Sequence, residues 1–257
     1  MKDLQPIDTA INVAMQPDNL RTLASKPGMK GISEFIGGKT ATAMTPTEKA
    51  VVGLNVLKEE VDSKTIAVMS RQSQYGTQAK LFGEIGADGR FTTGEAKGIL
   101  QNELFTYPDK YIGRLNPKQR KFIEAGREIE TDKLEFLKRN DIKINELSFE
   151  EGGVYAGQRV YGQFNTEGEL VQYGFIGPGG ARPGAKAAFE KARQFKDPAE
   201  AAKAGFRYLP RDEALYLNVK GAYRRVATKD FAEWMLAREP TRTTEAFSLL
   251  KASNLVM

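Results

Sequence analysis

The sequence contains no histidine and no cysteine. Their joint absence excludes Ser-His-Asp and Cys-His nucleophilic systems, imidazole acid–base work near neutral pH, and the His/Cys ligand sets that zinc prefers. A disulfide-stapled secreted scaffold is excluded as well. No apolar run approaches the roughly 20 residues that a membrane helix needs, and the opening Met1-Lys2-Asp3-Leu4-Gln5 lacks the apolar core of a signal peptide. The expectation is a cytoplasmic protein with no membrane partner. Carboxylate, Lys, Arg, Tyr, Ser/Thr and backbone groups are the chemistry that remains.

The 257 residues, 40% hydrophobic and 28% charged, suffice for one large domain or two small ones with a sizeable core and a polar surface. The net charge of +5 is unevenly placed. Between Arg182 and Arg238 there are 13 basic residues against seven acidic ones, so this stretch alone exceeds the whole-chain excess. Such a bias raises the local concentration of polyanions. Arg182, Lys186, Arg193, Arg207, Lys220, Arg224, Arg225 and Lys229 are therefore candidate nucleic-acid contacts, with Tyr208, Tyr216 and Tyr223 close in sequence as stacking partners. The same pattern also describes a solvated helix surface with half-buried tyrosines.

Residues 1–44, with Pro6, Pro17, Pro27 and the glycines at 28, 31, 37 and 38, read as an irregular arm with one short helix near 17–25. Thr45-Pro46-Thr47-Glu48 has the order of a capped helix start. Val51, Val52, Leu54, Leu57 and Val61 then form the apolar stripe of a helix over 45–62. Further helical segments are expected at 65–75 and 94–104, separated by Gly83, Gly86 and the Asp88-Gly89 turn. Asn116-Pro117 opens a longer helix over 117–139, with Phe122, Ile123, Ile129, Leu134 and Leu137 on one side and Asn140 near its end. Aromatic and β-branched residues on both sides of Asn165-Thr166-Glu167-Gly168 predict a β-hairpin within 153–176. The glycine-rich 177–184 follows as a hinge or a loop approaching another surface closely. Helices return at 198–204, at 210–238 with Leu215, Val219, Ala222 and Val226 as its stripe, and at 243–256. The fold class expected is mainly α: an irregular helical assembly with one inserted hairpin, organised as arm 1–44, helical region 45–150, and a hairpin with a basic helical region over 151–257. The apolar stretch at the end reads as a helix docked on this domain, a helix docked on a partner, or a sign that the chain continues.

No motif supplies a convincing catalytic set, and no cofactor or metal is expected. Gly37-Gly38-Lys39-Thr40 has the ending of a phosphate-binding loop, but the position that needs its first glycine is Ser33, no apolar strand precedes it, and Pro46 follows soon after. Mg²⁺ takes oxygen ligands, so Glu59, Glu60 and Asp62, then Glu124, Glu128 and Asp132, then Glu150 and Glu151, are the available carboxylates. The second set lies along one helix face, interleaved with Lys121, Arg127, Lys133 and Lys138 in the manner of surface ion pairs. Backbone N–H groups of 177–184 beside Arg182 and Lys186 offer an anion nest or a plain connector. Tyr216 or Tyr223 as a nucleophile lacks the histidines that tyrosine recombinases use.

Gly179-Gly180-Ala181-Arg182-Pro183-Gly184, Phe189-Glu190-Lys191-Ala192-Arg193, Ala204-Gly205-Phe206-Arg207-Tyr208 and Tyr223-Arg224-Arg225-Val226-Ala227-Thr228-Lys229 together resemble a segment of very large multidomain, polyvalent proteins of bacteriophages and mobile elements. Asn116-Pro117-Lys118-Gln119-Arg120 and Gly152-Gly153-Val154-Tyr155 resemble the same arrangement, so the likeness spans about residues 115–238. It implies a phage or mobile-element setting, in the host cytoplasm or the virion, and it transfers no catalytic residue. The functional expectation is a non-enzymatic structural or binding module. Its partners would be other protein subunits or the rest of a larger polypeptide, with nucleic acid held by the basic 182–238 region. The alternatives are a Mg²⁺-dependent phosphoryl-transfer enzyme or nuclease using Glu124, Glu128 and Asp132, and an oligomeric virion assembly protein.

Overall fold

The computed structural model describes residues 46–142, 159–173 and 198–238. In them the chain is mainly helical with one small antiparallel sheet, as the residue patterning predicts. The elements run α1 (Pro46–Ser73), α2 (Gln78–Phe82), α3 (Gln101–Thr106), two 3₁₀ turns (Pro108–Lys110 and Ile112–Arg114), α4 (Pro117–Arg139), β1 (Val160–Phe164), β2 (Leu170–Tyr173), α5 (Pro198–Lys203), β3 (Phe206–Tyr208) and α6 (Arg211–Arg238). None of the described helices is long and apolar enough to cross a membrane. The chain divides into two compact units, 65–222 and 1–64 with 223–257. The expected boundaries at 44/45 and 150/151 lie outside the described residues, as do the arm, the 177–184 loop, the 243–256 helix and the Gly37–Thr40 motif.

α4 forms where its sequence says it should. Asn116 caps it, accepting from Lys118 N and Gln119 N at 3.0 Å each, while the Gln119 side chain accepts from Asn116 N at 2.9 Å. That reciprocal box satisfies N–H groups that have no partner inside the helix. At the other end the Asn140 side chain donates to Phe136 O at 2.8 Å. Phe122, Ile123, Ile129 and Leu137 are buried as their spacing predicts.

The core of the 65–222 unit gathers around Phe82, 1% exposed. Its ring lies 5.6 Å from that of Phe91 and 5.8 Å from those of Phe105 and Phe122, tilted or edge-on, which is the favoured aromatic geometry. Ala96, Ile99, Leu104 and Leu115 complete the cluster. On α6, Leu215, Val219 and Ala222 are buried at the expected spacing. In the other unit Leu57 and Val61 of α1 and Val226 and Phe231 of α6 are buried.

Three of the expected elements are changed, and α2 lies where no helix is expected. The two helices foreseen at 45–62 and 65–75 are one, α1: the junction holds no glycine or proline, and Glu60 and Lys64 pair across it at 2.5 Å. The helix foreseen at 94–104 exists only from Gln101. Gly98 sits at φ +81°, a left-handed conformation that no α-helix contains, and its N–H goes to Phe91 O instead. The hairpin gains a third strand. β1 is central in the order β2-β1-β3, antiparallel to both neighbours, with Gln163 opposite Gln172 on one side and Phe206 on the other.

The expected turn joins β1 to β2: Asn165 Oδ1 accepts from Glu167 N at 3.1 Å and Glu169 N at 2.8 Å. Gly205, at φ +85°, precedes β3. A Cβ there would stand 2.0 Å from Phe164 O, so the close approach of β1 requires glycine. Val160, Ala201 and Phe206 form the small core under this sheet.

Candidate functional site

Arg182, Lys186 and Arg193 lie outside the described residues, as do Glu150 and Glu151. The remaining basic candidates divide by what they touch. Arg207, on β3, turns its guanidinium to backbone carbonyls: Nε donates to Ala87 O at 2.6 Å with Nη2 on the same oxygen, and Nη1 donates to Ala202 O at 3.1 Å and Phe206 O at 3.0 Å. Desolvation lowers its pKa, and nearby Asp88 opposes that shift. Such a group joins three stretches of chain. Lys220, on α6, is half-buried, with its ammonium 5.7 Å from the centre of the Tyr216 ring. In the other unit Arg224 is half-buried, Arg225 is exposed, and Lys229 pairs with Glu233 at 3.9 Å.

The tyrosines separate likewise. Tyr208 packs against the sheet core, and burial pushes its hydroxyl pKa up against the opposing effect of a bond with Asn102. Tyr216 and Tyr223 are half-buried.

Of the carboxylates on α4, Glu124 is exposed. Glu128 and Asp132 both hold Arg71 of α1: Nη2 meets Glu128 Oε2 at 2.9 Å, and Nη1 pairs with Asp132 Oδ2. Both acids are more than half exposed. They are therefore ion-paired on a solvated face, and among the described residues no group of three acidic side chains is placed to hold a metal ion. The pairing partner differs from the one expected, since Arg71 comes from another helix.

A buried polar junction within the 65–222 unit is the feature that charge patterning missed. Glu130, Lys133 and Arg211 are 2%, 8% and 4% exposed. Glu130 Oε2 accepts from Lys133 Nζ, and Oε1 accepts from Arg211 Nη1 at 3.2 Å, joining α4 to the start of α6. Burial pushes the Lys133 pKa down, Glu130 pulls it back up, and Arg211 and Arg159 add to the downward shift. Arg159 itself donates to Asn218 Oδ1 at 2.7 Å and Leu217 O at 3.3 Å. The Arg211 backbone N–H donates to Gln78 Oε1 at 2.5 Å, and Gln101 Nε2 donates to Leu209 O at 2.7 Å. Gln72 Nε2 reaches Phe122 O at 3.1 Å. The sequence did hold a signal: Lys133 lies in phase with Phe122, Gly126, Ile129 and Leu137, all of them buried on α4. A charge in the apolar phase of a helix needs a buried partner.

These side chains can accept and donate hydrogen bonds, and in the structure they do so with other side chains, with backbone carbonyls and with a backbone N–H. Their chemistry is that of ties between elements remote in sequence. No protein family, no curated protein and no solved structure matches this chain.

Proposed function

We propose that this chain is a non-enzymatic structural and binding module of the kind carried inside large phage and mobile-element polypeptides, working in the host cytoplasm or the virion. It contacts other protein subunits or the rest of a longer polypeptide, and it holds nucleic acid through cations of its basic C-terminal region. The observation that carries this reading is the division of labour among the basic residues. Arg159, Arg207 and Arg211 are spent on joining elements, whereas on α6 Arg225 is exposed. A cation of the second kind suits phosphate contacts, which position a nucleic acid without reading its sequence.

The test is fluorescence anisotropy with a labelled DNA duplex across a salt series. If about four phosphates are neutralised, affinity falls about 100-fold between roughly 50 and 200 mM salt. Arg225→Glu weakens binding and lowers the salt slope by about one, equally for unrelated sequences. Lys118→Glu, on the exposed first turn of α4, leaves binding unchanged. A wild-type protein that retains no DNA or RNA at low salt overturns the nucleic-acid part of the proposal.

A further inference from the structure

We draw no further inference here: the strongest candidate, the surface patch on the β1–β2 hairpin where exposed Tyr161 stacks on Phe164 with ring centroids 6.1 Å apart, carries nothing because nothing in the structure shows what covers it.

Discussion

Replacing Glu130 by Gln separates the two kinds of ion pair on α4. The Glu130 side chain is 3% exposed and accepts from both Lys133 and Arg211. Two helical positions earlier, Glu128 meets Arg71 at 2.9 Å with its side chain 66% exposed. Glu130→Gln keeps the shape, removes the charge, and leaves two buried cations facing an amide whose NH₂ accepts nothing. Breaking a buried pair in this way costs about 3–5 kcal/mol. Glu128→Gln loses an exposed pair, worth about 0–1 kcal/mol and screened by salt. Urea unfolding followed by circular dichroism reads both losses as shifts in midpoint at constant slope. Adding about 0.5 M salt should narrow the Glu128 difference and leave the Glu130 difference standing. Against a domain stability of about 5–15 kcal/mol the larger loss is severe. Should Glu130→Gln not fold, the triple change Glu130→Met, Lys133→Met, Arg211→Met provides the second measurement. It should recover most of the stability, because apolar replacement of a whole buried ionic cluster is commonly neutral or stabilising. Equal costs below about 1 kcal/mol for Glu128→Gln and Glu130→Gln would refute the reasoning.

Further outcomes follow from single contacts. Asn116→Ala should lower stability by about 1 kcal/mol through loss of the α4 cap, visible as a lower Tm, and an unchanged Tm would show that the box contributes nothing. Gly205→Ala should cost more than about 2 kcal/mol, since it adds left-handed strain to a collision with Phe164 O, a backbone atom that cannot swing aside. Tyr111 donates to Glu103 Oε1 at 2.5 Å, and burial together with that carboxylate pushes its pKa up to about 12. With the folded value raised above the ordinary 10, the associated stability is complete below about pH 10 and is lost as pH rises towards about 12. In a spectrophotometric titration the phenol that Tyr111→Phe removes should ionise well above pH 10; a native-minus-variant difference curve with its midpoint near pH 10 would contradict the assignment.

The helices were legible where spacing and termini agreed. Asn116, Pro117 and Gln119 announce the start of α4, and the buried row on α6 follows Leu215, Val219 and Ala222. β3 was not legible because three residues are too few to display a period of two, and its partner β1 lies more than forty residues earlier. The length of α1 was missed because apolar periodicity weakens around Ser63 and Lys64, although nothing there breaks a helix. Charge told least. Lys133 reads as a surface residue among acids until its phase with Ile129 and Leu137 is taken into account, and Arg207 resembles a phosphate contact until the carbonyl of Ala87 is found, 120 residues away. A basic side chain in sequence carries a charge but no direction; the tertiary fold supplies the direction.

The ties converging on residues 206–211 also set an order of events during synthesis. Gln78 and Gln101 are made early, yet the groups they bond, Arg211 N and Leu209 O, leave the ribosome more than a hundred residues later. Until then the two carboxamides have only each other, at 3.4 Å, and water, and burying their remaining polar groups without partners costs free energy. β1 likewise gains β2 from the adjacent chain but waits for Phe206–Tyr208 to cover its other edge. The aromatic cluster around Phe82 draws on residues 82–123 and can collapse from local contacts. A nascent chain that collapses first from its local contacts would carry unfinished polar seams until Arg211 arrives. A ribosome stalled with only 205 residues emerged should present a protease-sensitive intermediate, and one stalled after the start of α6 a protected one.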